Sequence, residues 1–275
     1  MVTTQPATVE SRSAFFNYKN KQIHYLQFGN GAKKMIALHG YGDRAELFLP
    51  IAPALSQHYT VYAIDLPYHG DTVWDTNDLY SLADVVGMID HLRQNENIER
   101  FSLMGYSMGG KVALGLIPLY IQHIDDLILL AGAGIRWADM AYRVPLWMAH
   151  RIGSFVERPH TFMAMLHQAR KRRLIGHSVF KMYSLFMEKE SRRRKLYHTW
   201  LSLYDFKISI SHIQQLLNQY QVAVYLLHGA KDQAVPLSDS IFFAKKLKKA
   251  QLTILDDGHW FIKESLNKQL SKLFH

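Results

Sequence analysis

The octapeptide GYSMGGKV, residues 105–112, satisfies two chemical patterns at once. As G-x-S-x-G it is Gly105, Tyr106, Ser107, Met108 and Gly109, a sharp strand-to-helix turn that offers a serine hydroxyl to a carbonyl. As G-x-x-x-x-G-K it ends in Gly110 and Lys111, most of a phosphate-cradling loop. Such a loop needs Ser or Thr after its lysine to hold magnesium, and position 112 is valine. The nucleotide reading fails there, and the nucleophile reading needs partners from elsewhere in the chain.

A serine hydroxyl is a poor nucleophile at neutral pH, so a base must take its proton during attack. His259, in DDGHW, is placed to be that base. A carboxylate must fix the tautomer of the imidazole and stabilise its charged form; Asp232, in HGAKDQAVP, is placed for that. The developing oxyanion needs backbone donors, one from the residue after the serine and one from an early glycine-rich turn. These are the N–H groups of Met108 and of Tyr41, in HGYGD. No cofactor and no metal is called for by this chemistry.

Each of these residues follows a short apolar run. KMIALHG (34–40), TVYAIDLP (60–67), FSLMGYS (101–107), DLILLAGAG (126–134), VAVYLLHG (222–229) and QLTILDD (251–257) read as strands, the near-continuous ones suiting burial on both faces of a parallel sheet. AFFNYKN and QIHYLQFG read as an initial hairpin. Helical periodicity lies between strands, as at Leu82, Val85, Val86, Ile89 and Leu92. Further helices are expected around 238–249 and toward 274. Strand alternating with helix predicts an α/β, doubly wound sheet, and its ligands belong beyond the strands' carboxyl ends.

Taken together, HGYG, DLPYHGDT (65–72), GYSMGG, GAKDQAVP and DGHW, in this order, resemble the α/β-hydrolase superfamily and its cap-bearing branch of esterases and carbon-carbon bond hydrolases. The resemblance covers residues 15–134 and 222–274. It implies a mostly parallel eight-stranded sheet with helices on both faces, an inserted helical cap, and Ser107, Asp232 and His259 as a catalytic triad. Gly229, Asp232, Val235 and Pro236 keep the family's spacing, which favours Asp232 over its rival Asp139. Tyr68 stands where many members have glycine, and Thr72 where they have serine. His39 and His69 are structural in this pattern. The implied reaction is hydrolysis of a small-molecule ester through an acyl-enzyme. The alternatives are cleavage of a carbon-carbon bond in a vinylogous diketone acid, or, from another class, a non-catalytic binder that keeps the fold.

The organisation expected is a loose tail over 1–14, a core over 15–134 and 222–275, and a helical cap over 135–221. The chain of 275 residues carries a net charge of +9, and residues 135–220 hold fifteen Lys/Arg against five Asp/Glu, so this segment contains the whole excess. Its basic clusters are QARKRR (168–173) and SRRRK (191–195). They suit an acidic partner: an acyl carrier protein, as for the esterases of biotin synthesis that this chain resembles, an anionic substrate with a partly anionic acyl group, or an anionic membrane surface. Nucleic acid is not expected, because no binding motif accompanies the charge. Methionines and aromatics of the same segment favour an apolar acyl or aryl group; Tyr106, Trp137 and Trp260 are the candidate substrate contacts. No run of 18 apolar residues marks a membrane span. With no cysteine and neither a basic start nor an apolar h-region in MVTTQPATVESRSA, the expected location is cytoplasmic.

Overall fold

The computed structural model describes residues 9–75, 78–136, 158–204 and 206–274. Strands β1 (Ser11–Tyr18) and β2 (Lys21–Phe28) form the expected hairpin. β1 begins inside the segment expected to be a loose tail. Ser11 to Ala14 pair with Phe28 to Tyr25, so their backbone groups are taken up by the sheet.

Strands β3 (Lys33–Leu38), β4 (Tyr59–Ile64), β5 (Phe101–Tyr106), β6 (Ile124–Leu130), β7 (Ala223–Gly229) and β8 (Ala250–Leu255) complete an eight-stranded sheet of order β1-β2-β4-β3-β5-β6-β7-β8. All six are parallel to one another, and only β1 and β2 run against their neighbours. Every residue of β4 and β5 is buried, as the continuous apolar runs require. The strand order reverses at β3, which has β4 on one side and β5 on the other, so a crevice is expected at the carboxyl ends of β3 and β5.

Helices α1 (Ala52–Leu55), α2 (Leu82–Asn95) and α3 (Met108–Tyr120) lie between the strands. α2 opens with a reciprocal Ser81–Asp84 capping box and buries Val85, Met88, Ile89 and Leu92, one helical face. On one side of the sheet Leu92, Val112 and Leu116 pack with Leu103 and Leu127; on the other, Phe48, Leu55, Phe261 and Leu270 pack with Ala37 and Val61.

After β6 come α4 (Pro159–Lys171), α5 (His177–Met187) and α6 (Glu190–Tyr204), which pack in sequence, α4 on α5 and α5 on α6. α4 buries no residue. The chain re-enters the main core through Leu203, Phe206 and Ile208, and α7 (Ile210–Gln219) sets Ile213 and Leu217 against the α3 side of the sheet. α8 (Leu237–Ala244) is shorter than expected. The expected terminal helix is only a turn at Glu264–Leu266 followed by α9 (Asn267–Leu270). Here Asn267 stops being solely a helix residue, because its side chain accepts from Ala54 N–H and donates to the Pro50 carbonyl.

The DLPYHGDT turn is organised by the buried Asp65. Its carboxylate accepts from the backbone N–H of Ala45 at 2.6 Å and Asp71 at 2.8 Å and pairs with His24 at 2.7 Å. Tyr68, in the place of the usual glycine, takes a left-handed φ of +68°. Its hydroxyl donates to the Asp78 carbonyl and its ring packs on Tyr80, contacts that offset the strain a side chain incurs there.

Candidate active site

β5 ends and α3 begins at Ser107, whose φ of 49° and ψ of −115° match neither element. A non-glycine residue holds such angles only when its surroundings enforce them. Ser107 N–H donates to Leu130 of β6, and its carbonyl accepts from Gly110 and Ala133. Gly109 is required because a Cβ there would strike the Leu38 carbonyl of β3. A helix therefore starts against the sheet, and the serine side chain projects from the turn between them.

His259, between β8 and the Glu264 turn, reaches back to this serine. Its Nε2 lies 2.9 Å from Ser107 Oγ, and its Nδ1 lies 2.7 Å from Asp232 Oδ2. Asp232, after β7, has no exposed side-chain surface. Burial alone would raise its pKa. His228, His259 and the Val235 N–H stabilise its ionised form more strongly, and hold the carboxyl well below the usual range. Its other oxygen, Oδ1, accepts from the N–H groups of Ala234 at 2.7 Å and Val235 at 2.9 Å. The carboxylate is thus fixed in ionisation and orientation, which makes His259 Nδ1 the donor and leaves Nε2 to accept from the serine.

The serine opens into a cavity of about 320 Å³, walled by Met108, Tyr183, Phe186, Leu196, Trp200, Leu203 and Val235. α5 and α6 supply five of these seven side chains, so these two helices form most of the cavity's apolar wall. Tyr41 and Met108 also border the cavity. Among the described residues neither of their backbone N–H groups has an intramolecular hydrogen bond. Free donors flanking a serine are what an oxyanion requires. Lys111 also lines the cavity and donates to the Leu203 carbonyl at 2.6 Å, and burial lowers the pKa of its ammonium group to about 8.

The remaining candidates divide by place. Tyr106 packs its ring on His259 and donates from its hydroxyl to the His259 carbonyl at 3.1 Å, so it supports the base from below. Trp260 is half exposed at the cavity mouth, edge-on to the His259 ring. Trp137 and the rival acid Asp139 lie outside the described residues. His39 accepts from Leu66 N–H and donates to the Gly40 carbonyl, and burial lowers it to about 4. His69 donates to the Pro67 carbonyl. Both histidines shape the turn that carries Tyr41.

Two residues were not singled out from the sequence. His228, on β7, approaches Asp232 Oδ2 at 3.4 Å from inside the core; its position immediately before Gly229, one strand-end before the acid, was the available signal. Asp43, the last residue of HGYGD, borders the cavity too, but a carboxylate after a glycine turn is ordinary on a surface and so did not stand out.

The model of the family described as alpha/beta hydrolase fold matches residues 34–266. The chain is 26% identical over 249 residues to the dihydrolipoyllysine-residue acetyltransferase component of the acetoin cleaving system of Pseudomonas putida, covering 88% of this chain and 63% of that protein. It is 34% identical over 114 residues to the pimeloyl-[acyl-carrier protein] methyl ester esterase of Edwardsiella ictaluri, covering 42% of each. The matches thus span less than two thirds of both relatives. The solved structure of 2-hydroxy-6-oxo-6-phenylhexa-2,4-dienoate hydrolase from Rhodococcus sp. strain RHA1 superposes with a TM-score of 0.66 at 23% identity, over 97% of this chain and 98% of that one. That likeness is one of fold.

Proposed function

Because the chain belongs to the alpha/beta hydrolase fold family, we propose that it is a serine hydrolase that cleaves an ester through an acyl-enzyme. The observation that carries this reading is the unbroken hydrogen-bonded line Asp232–His259–Ser107 at the floor of an apolar cavity.

In this mechanism Ser107 Oγ attacks the acyl carbonyl as its proton passes to His259 Nε2. Ionised Asp232 stabilises the imidazolium without taking its proton. The oxyanion points between the N–H groups of Tyr41 and Met108. His259 then returns the proton to the leaving alkoxide, and water, activated in the same way, releases the acid and frees Ser107. The segment from 135 to 221, of which 137–157 and 205 lie outside the described residues, acts in this reading as a cap whose apolar lining, in Tyr183, Phe186, Leu196 and Trp200, takes the hydrocarbon part of the substrate.

Hydrolysis of p-nitrophenyl butyrate tests the reading, with Ser107→Ala as the control. Undiminished turnover in that variant overturns it. The carbon-carbon alternative uses the same three residues. A dienoic ring-fission acid turned over faster than any simple ester would replace the ester reading with that one.

The basic clusters support an acidic macromolecular partner, an acyl carrier protein in this reading. The two clusters differ. Arg192 and Arg194 are paired with Glu188 and Glu190 along α6. Arg170, Lys171, Arg172 and Arg173, at the end of α4, have no ion pair among the described residues, which leaves their charge available.

A further inference from the structure

A second cavity, of about 530 Å³, adjoins the one above Ser107, and the two share Tyr41, Asp43, Phe186 and Trp260. These four side chains therefore lie between the outer cavity and the one that holds Ser107. Among the described residues the Asp43 carboxylate accepts no hydrogen bond and forms no ion pair. Its position is set by the loop, where Gly42 adopts a left-handed φ of +82° and Asp43 N–H donates to the Gly40 carbonyl at 3.3 Å. His177 and Lys181 line the outer cavity from α5 without pairing with it.

A half-buried carboxylate without a partner is costly to maintain, so a site that keeps one has a use for its charge. The aromatic side chains narrow what that use is. Tyr41 meets Phe186 edge-on at 4.7 Å, and with Trp260 these rings border the same opening as the carboxylate. Aromatic rings lining the same cavity as a carboxylate suit an organic cation, whose methyl or methylene groups fit the rings while its charge is neutralised by the acid.

We infer that Asp43, Tyr41, Phe186 and Trp260 form a subsite for an alkylammonium group, which an ester substrate carrying a cationic amine would occupy. Occupation by a substrate rests on the ester-hydrolase reading; the binding site itself does not.

Binding is therefore measured without turnover. Phenyltrimethylammonium and its neutral isostere tert-butylbenzene are titrated into the protein by calorimetry or Trp fluorescence, with Asp43→Asn alongside and circular dichroism to verify its fold. The expected result is that the cation binds about tenfold more tightly than the isostere, and that the difference falls to about twofold or less in Asp43→Asn. Equal binding of the two compounds overturns the inference, as does a preference for the cation that survives the substitution. Tighter binding of the anionic isostere, phenyl phosphonate, also overturns it and assigns the charge reading to Lys181. Failure of ester hydrolysis with this binding intact would remove the proposed reaction and leave the subsite.

Discussion

His228 and Asp232 stand 3.4 Å apart with no exposed side-chain surface on either, and the same Asp232 oxygen receives His259 at 2.7 Å. One carboxylate is therefore held between two imidazoles, the outer one facing Ser107 and the inner one tied to the Ser240 hydroxyl and the Val235 carbonyl. The inner imidazole has no path to the substrate. Its effect is to keep Asp232 ionised and aimed.

This separates two variants by size of effect. Asp232→Asn leaves His259 with the wrong tautomer and is expected to lower kcat about 10⁴-fold. His228→Gln removes one charge-assisted contact worth about 1–2 kcal/mol, and is expected to lower kcat roughly tenfold. KM should stay nearly constant in His228→Gln, since the residue touches no substrate. Steady-state kinetics on a p-nitrophenyl ester decide it, and a raised KM with unchanged kcat would assign His228 to packing alone.

Gly109→Ala is expected to cost more than about 3 kcal/mol of stability, because its methyl group would enter the Leu38 carbonyl and push α3 off the sheet. Gly115→Ala provides the contrast. Its added carbon would meet the flexible end of Leu82 at 3.3 Å and the Phe206 ring at 3.7 Å, an ordinary contact, so its cost should be below about 1 kcal/mol. Urea unfolding of the two variants measures the difference.

The parts of this fold legible in the sequence were those with local causes. Buried strands show as apolar runs, and Ser107, Asp232 and His259 each follow one, so their order along the chain carried their meeting place. Asp43 and His228 were not legible in the same way. A carboxylate after Gly42 becomes notable only when Phe186 and Trp260, more than a hundred residues away, close over it. His228 looks like any strand residue until the loop from 229 to 235 folds Asp232 back onto it. The shortness of the expected C-terminal helix was not legible for a related reason: Asn267 is used as a bridge to Ala54 and Pro50, a tertiary demand that helical periodicity does not record.

Asp43 gives a pH-dependent prediction. Burial pushes its carboxyl up to about 6, against a small opposing pull from His259. A folded-state value above the unfolded one means the folded protein binds the proton more tightly. Ionisation of Asp43 therefore destabilises the fold above about pH 6, and the penalty is relieved as pH falls toward 4. Discounted for partial exposure, the penalty is about 1–2 kcal/mol. Asp43→Asn should accordingly raise Tm by several degrees at pH 8 and by little at pH 4.5. Scanning calorimetry at the two pH values tests the sign. A Tm gain equal at both would mean that the carboxylate's charge is not the source.

Arg172→Ala combined with Arg173→Ala addresses the basic end of α4. Both lie beyond the last turn of a helix that buries nothing, and neither has an acidic neighbour among the described residues. Their removal should leave hydrolysis of a small free ester unchanged, since neither lines the cavity at Ser107. For an ester carried on an acidic acyl carrier protein, the double variant should raise KM about tenfold at low salt. Exposed charges attract over roughly 10 Å at 0.1 M ionic strength and less above it, so wild type and variant should converge as salt increases. The slope of log kcat/KM against log salt is the readout: a steep slope for wild type that flattens in the variant supports the carrier partner. Equal slopes for carrier-linked and free esters would remove it, and would leave the α4 cluster as a solvated helix end.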